Sequence, residues 1–256
     1  MLVAFPNPAE QRRWTVLIRL ILAIPLIIVV WVISIAVYIV VIVGWFGALF
    51  TGRTPTFVRD LVTIWLRLSL RLAAYLLFLT DVFPQFDFEA SPLDVIQLAV
   101  PGATRMNRAA VFFRFILAIP VLILVSLVGT GCEVIAFVMW FVVLITGRLP
   151  DSVHRAFSAL MRYQARVYAY YLLLVPTYPS RLFGDPDPAT ATTEGDVAAG
   201  SPWSLVLPQA SKVILVVAIV LGLVSLIPSI TGNHTTNTNI YGTPQNIRPI
   251  GGTPGP

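Results

Sequence analysis

The chain is 256 residues long, with 11% charged residues, a formal net charge of +5 and a mean hydropathy of +0.84. A soluble globular domain carries about 25% charged residues, so the composition excludes a fold solvated by water alone. A single cysteine, Cys132, excludes an intrachain disulfide and a cysteine-built metal cluster.

In chain order, residues 1–11 lead into Arg12 and Arg13, and residues 16–50 then hold one charge, Arg19. That run exceeds the roughly 20 apolar residues that cross a bilayer. It is also about twice as long as a signal-peptide core and lacks a small-residue cleavage site, so residues 1–50 are expected in the mature chain. This helix, A, should stop at Gly52, a suitable left-handed cap, with Pro55 placed where a first helical turn tolerates it. Arg53, in the connector, is a candidate contact for lipid phosphate. A second helix, B, follows over about residues 56–79. At ~100° per residue, positions 60, 67 and 71 share one stripe, which brings Arg67 and Arg71 together. Like charges four apart repel unless something anionic lies between them. The stripe has two readings: a headgroup-facing edge, or an intramembrane site for lipid headgroups and partner carboxylates.

From residue 107 the pattern begins again. Arg19, Ala23 and Pro25 match Arg114, Ala118 and Pro120; Trp45 and Phe46 match Trp140 and Phe141; Gly52, Arg53 and Pro55 match Gly147, Arg148 and Pro150. Arg67, Arg71, Tyr75 and Pro84 match Arg162, Arg166, Tyr170 and Pro179, every pair 95 positions apart. Chance apolar similarity does not align Pro, Gly, Arg and Trp together, so the chain contains a tandem duplication. The second copy's B helix, about residues 152–174, carries Arg155, Arg162 and Arg166 on its stripe, and Arg148 repeats the connector arginine.

The chain is expected to divide into a cytoplasmic N-terminus (1–11), a first membrane repeat (12–86), a linker (87–106), a second repeat (107–180), a flexible cytoplasmic linker (181–203), a C-terminal transmembrane helix (204–230) and a polar extracytoplasmic tail (231–256). The first linker's acids, Asp87, Glu89 and Asp94, are candidates to meet the arginine stripes. Arg181 and Lys212 precede the last helix, which by the positive-inside rule puts that side in the cytoplasm. The tail is rich in Thr, Asn, Gly and Pro and cannot bury enough apolar surface to fold alone. It is free to lie extended along an extracytoplasmic partner.

The fold class expected is all-α integral membrane: two tandem two-helix repeats and one C-terminal transmembrane helix. With B spanning, five helices lie in the membrane and both repeats keep one orientation. Arg12, Arg13, Arg105, Arg108, Arg181 and Lys212 then fall in the cytoplasm, leaving Arg53 and Arg148 outside. A rival makes A a re-entrant hairpin and B interfacial, supported by Gly129, Thr130 and Gly131 in mid-helix. A third, with the repeats upside down relative to each other, is disfavoured because it puts identical arginine motifs on opposite sides. Whether B spans or lies on the membrane stays open.

There is no phosphate-binding Gly-Lys-Ser/Thr loop, no nucleophile elbow and no zinc motif, and the two histidines, His154 and His234, are far apart in sequence. No enzyme activity, cofactor or metal is expected. The basic residues flank apolar segments, which fits membrane surfaces and not nucleic acid. Glu133 stands out: it falls in the middle of the second A helix where the first copy has Tyr38. An intramembrane carboxylate is a functional candidate by default, either relaying protons or pairing with an arginine, and its bland reading is a protonated side chain at a helix break.

The series Ala-Ile-Pro, Trp-Phe, Thr-Gly-Arg-x-Pro, Arg-x3-Arg-x2-Ala-Tyr and Pro resembles an actinobacterial family of membrane proteins known only as a domain of unknown function. The likeness covers about residues 12–86 and 107–180. The ending Thr-Asp-x-Phe/Tyr-Pro is kept as Thr80-Asp81-Val82-Phe83-Pro84 but becomes Val175-Pro176-Thr177-Tyr178-Pro179 in the second copy. The resemblance implies a fold and a source, not a reaction. Two classes of function remain: a non-catalytic accessory or scaffold subunit of a cell-envelope complex, such as a lipid or solute transport system, or a small pseudo-symmetric transporter or channel using Glu133. A weaker third is a lipid-binding or curvature protein. Expected partners are membrane lipids and other membrane subunits.

Overall fold

The computed structural model describes residues 2–84, 88, 94–102, 104–179, 182–183 and 205–231, with side chains as far as Ile227. Its elements are β1 (Leu2–Ala4), α1 (Arg13–Thr51), α2 (Thr56–Leu76), β2 (Gln97–Ala99), α3 (Arg108–Phe112), α4 (Arg114–Thr146), α5 (Asp151–Tyr171) and α6 (Gln209–Thr231). The tail, most of the second linker, Asp87, Glu89, Arg181 and His234 lie outside the described residues.

Helix A is continuous in both copies. Pro25 and Pro120 sit inside α1 and α4, and each helix closes on a left-handed glycine, Gly52 at φ 73° and Gly147 at φ 76°. A β-carbon is unfavourable in that conformation, so glycine is the economical stop. The re-entrant hairpin is therefore not formed, and Gly129, Thr130 and Gly131 are ordinary turns of α4. In the second copy Phe113 interrupts the start of A, leaving the short α3 ahead of α4.

Each B helix folds back along its own A helix. Val58 packs at Gly44, Trp65 Nε1–H donates to Ser34 Oγ at 2.7 Å, and Leu68, Leu72 and Tyr75 cluster with Leu26 and Ala23. These pairings run in opposite directions along the two helices, so α1 and α2 form an antiparallel hairpin. α4 and α5 repeat it.

The two hairpins then meet by exchanging equivalent contacts. Gln11 N–H donates to Gly147 O at 2.8 Å and Met106 N–H to Gly52 O at 2.9 Å. Trp45 Nε1–H donates to Val111 O at 2.9 Å and Trp140 Nε1–H to Val16 O at 3.0 Å. A contact in which i meets j and the copy of j meets the copy of i defines a two-fold relation. Because the end of α1 meets the start of the second repeat, and the start of α1 meets the end of α4, the repeats are antiparallel. This corrects the shared orientation expected from sequence. It also separates Arg53 from Arg148: Arg148 pairs with Glu10 at the end holding Arg12 and Arg13, and Arg53 lies at the end holding Arg105 and Arg108.

Among the described residues three helices, α1, α4 and α6, are long and apolar enough to cross a membrane. The charges on α2 and α5 keep these two out of that set. The fold also departs from all-α in one detail, an antiparallel pairing of Leu2 with Ala99 and Ala4 with Gln97. α2 and α5 form the interior: beyond Asp60 no residue of α2 is exposed, and α5 is buried along most of its length.

α6 packs antiparallel on α4 with the backbones in direct contact. A β-carbon on Gly131 would fall 1.8 Å from Ala218 O, and one on Gly222 2.1 Å from Leu127 O. Small residues permit such close crossings, which are frequent where helices associate in lipid. Gly129, two residues away, has nothing within 4 Å of its would-be β-carbon. Gly131→Ala and Gly222→Ala should thus each destabilise the chain by about 1–3 kcal/mol through overpacking. Gly129→Ala should leave it unchanged or stabilise it by up to about 1 kcal/mol. Thermal unfolding in mild detergent distinguishes these outcomes.

Candidate functional site

The only charge in the first apolar run, Arg19, is 2% exposed, and its copy Arg114 is 1% exposed. A guanidinium carries five donors and cannot lose its proton, so burial requires oxygens around it. These come from the chain's own helix ends. After α2 the backbone turns left-handed at Phe78 (φ 60°), and after α5 at Leu173 (φ 66°). Leu79 N–H bonds to Ala74 O and Leu174 N–H to Ala169 O, both at 2.9 Å, which closes the six-to-one ring of a Schellman turn. A non-glycine residue in that conformation costs about 1–2 kcal/mol.

The arginine stabilises the turn. Arg19 Nη1 donates to Tyr75 O at 2.6 Å and Nη2 to Thr80 O at 3.4 Å, with the cation 4.4 Å from the Tyr75 ring centre and 4.8 Å from that of Phe78. Arg114 does the same with Tyr170 O at 3.1 Å, Val175 O at 3.3 Å and the Tyr170 ring at 4.6 Å. A cation at a helix C-terminus also opposes the negative end of the helix dipole. In each repeat, then, helix A caps helix B.

The clamps differ in their counter-charge. Arg19 Nη2 reaches Asp81 Oδ1 at 3.2 Å and Gln11 Oε1 at 3.0 Å, and Asp81 Oδ1 also accepts from Thr15 Oγ1 at 2.7 Å. The equivalent positions beside Arg114 are Pro176 and Met106, and among the described residues Arg114 has no carboxylate. In the sequence Arg19 stands out as the one charge of its apolar run and Arg114 as its repeat, with no sign of what they contact. The available signal was one arginine kept twice in an otherwise uncharged run, together with Ala-Tyr and Thr-Asp downstream.

The sequence-selected residues fall in different places. Arg71, 8% exposed, pairs with Asp94 at 2.6 Å, so that linker acid does meet the stripe. A hollow of about 180 Å³ opens beside this pair, lined by Arg71, Thr80, Phe83, Asp94 and Ile96. Half-buried Arg67 donates to Phe88 O at 2.9 Å, and burial, then the neighbouring Arg71, hold its pKa below the ordinary value. Arg162 is buried and Arg166 half-buried on α5, whereas Arg53, Arg148 and Arg155 are exposed. Glu133 is exposed on α4 beside Val134, Phe137 and Val138, and makes no hydrogen bond or ion pair among the described residues. The stripes therefore do not converge on one centre. No group of three His, Cys, Asp or Glu gathers as a metal site among the described residues.

His154 replaces Arg59 in the second copy. Arg59 donates to Leu174 O at 3.0 Å, and the His154 imidazole bonds to the backbone of Leu79, the two-fold equivalent. His154 is 5% exposed, and its Nε2 has no partner among the described residues.

The fold thus defines a helical tandem-repeat protein with inverted halves. The chain belongs to the family described as Domain of unknown function (DUF4389), whose model matches residues 13–87 and 108–182. The two matches are offset by the same 95 positions as the motifs. No curated protein and no solved structure matches the chain.

Two outcomes test the clamps. Asp81→Asn should cost about 1.5–3 kcal/mol, the weight of a hydrogen bond to a charged group. Pro176→Asp should raise the unfolding temperature when Arg114 is present and not in an Arg114→Met background. Both are read by thermal unfolding in detergent. For His154, burial depresses the pKa below its ordinary 6.5, outweighing the Leu79 bond. The unfolded chain therefore takes the proton first, so stability is full above pH 6.5 and declines as the pH falls below it. His154→Gln should flatten that decline in unfolding temperatures measured between pH 7.5 and 5.

Proposed function

We propose that the protein is a membrane protein without catalytic chemistry of its own, acting as an accessory or scaffold subunit of a larger cell-envelope assembly such as a lipid or solute transport system. Two features support membrane residence. The outer faces of α1, α4 and α6 carry large apolar side chains along their length, including Trp14 at 80%, Phe50 at 72% and Ile145 at 71% exposure. An apolar surface of this extent marks an interaction with membrane or protein. Arg19 and Arg114, in contrast, are turned inward and held by backbone oxygens, as expected of a structural role.

The observation that carries the subunit reading is Glu133. A carboxylate exposed among Val134, Phe137 and Val138, with no partner of its own, is costly in an apolar solvent. A donor or cation from another chain removes that cost. Two-fold related inverted repeats also occur in transporters, which favours the second reading. Against it, a hollow between the repeats, lined by Ser34, Tyr38, Trp65 and Tyr168 among the described residues, measures about 10 Å³.

The full chain purified in mild detergent should carry a partner in fixed stoichiometry, and Glu133→Leu should lose that partner while unfolding at the same or a higher temperature. A lone monomer from both preparations would sink the subunit reading.

A further inference from the structure

The path of the chain between the two repeats constrains how the molecule can meet a membrane. α2 has 21 residues, which at ~1.5 Å each spans about 30 Å, the thickness of a bilayer's hydrocarbon. Its C-terminus lies at the Gln11 end of the molecule, where Gln11 Nε2 donates to Phe78 O. The next repeat begins at the opposite end, where Met106 bonds to Gly52. The described part of the intervening chain, residues 94–102 and 104–107, makes that return outside any helix. It does so along α2: Asp94 pairs with Arg71 at 2.6 Å, and Pro101 O accepts from Arg59 Nη2 at 2.7 Å. Between those two points lies β2, part of a two-stranded sheet.

Were the long helices to cross a bilayer, this stretch would sit at mid-depth. A two-stranded sheet leaves backbone groups open on its outer edges, and Gln97 and Ala99 are exposed on it. Each unsatisfied backbone group in hydrocarbon costs several kcal/mol, so irregular chain and open sheet edges are not found facing lipid. The linker face therefore belongs in water.

The apolar face is a different one. Trp65, Leu68 and Leu72 turn toward α1, and Arg67 and Arg71 leave α2 about a third of a turn round, at ~100° per residue, toward the linker. α1 with its exposed apolar residues and the polar linker thus cover different faces of α2. The exposed arginines complete the pattern. Arg12, Arg13 and Arg148 lie at one end of the molecule and Arg53, Arg105 and Arg108 at the other. A spanning orientation would place one basic set on each side of the membrane. A molecule lying along the surface places both in the same layer of headgroups.

We propose that α1, α4 and α6 lie along the membrane plane, sunk into one leaflet, with the linker face in water and both basic ends among that leaflet's anionic headgroups. The occupant of the apolar face is lipid. A helix about 10–12 Å across fits within one leaflet, half of a ~30 Å core. This inference rests on the membrane reading above.

The test is sidedness in the full chain, with Cys132, which is 0% exposed, replaced by alanine. Arg53→Cys, Arg148→Cys and Gln97→Cys are each exposed to a membrane-impermeant maleimide in sealed vesicles of both orientations. The expected result is that all three label from one and the same side. Labelling of Arg53→Cys and Arg148→Cys from opposite sides, or protection of Gln97→Cys from both, overturns the in-plane orientation while leaving the membrane reading intact. Release of the chain by an alkaline carbonate wash overturns the membrane reading and this inference with it.

Discussion

A guanidinium that cannot shed its proton must find oxygens wherever it is buried, and a helix that ends inside a protein must find donors for its last carbonyls. Arg19 and Arg114 meet both demands together. Each lies in an apolar helix A and reaches the left-handed turn at the end of helix B, donating to Tyr75 O and Thr80 O in one copy and Tyr170 O and Val175 O in the other. The strain of placing Phe78 and Leu173 at positive φ is offset by these bonds and by the cation over the neighbouring ring. Without the arginine, the turns at the ends of the B helices would lose a charged donor to Tyr75 O and Thr80 O in one copy and to Tyr170 O and Val175 O in the other.

The register of the hairpins is what lets the two halves dock. The segment before each A helix bonds to the corner of the other repeat, and each indole donates to the first turns of the other repeat's A region. One sequence supplies both halves of the contact, so a duplication produces complementarity without any second set of residues. The exchange closes only when the repeats are inverted, because the donor lies near one end of the unit and the acceptor near the other.

Where the copies differ, the fold stays two-fold but the chemistry does not. Asp81 gives Arg19 a counter-charge that Pro176 cannot give Arg114. His154 takes the place of Arg59 and turns a permanent cation into a group buried neutral. Gly131 stands where the first repeat has Ala36, and that change opens α4 to α6 while the matching face of α1 stays uncovered. Glu133 replaces Tyr38 on the same helix. The second repeat carries an extra helix and an exposed carboxylate, and the first holds the Arg19–Asp81 and Arg71–Asp94 pairs.

The sequence by itself determined the duplication, the helix–corner–helix unit and its glycine caps, because these rest on local rules of spacing, apolar length and left-handed geometry. Three apolar helices and the membership of the family followed from the same residues. Only the tertiary structure decided that the repeats are inverted, that Arg53 and Arg148 stand at opposite ends, and that Arg19 and Arg114, not the arginine stripes, hold the interior together. Periodicity shows which residues share a face of one helix. It cannot show which carbonyl, sixty residues away, that face will meet, since the match depends on where two separate chain segments end in space.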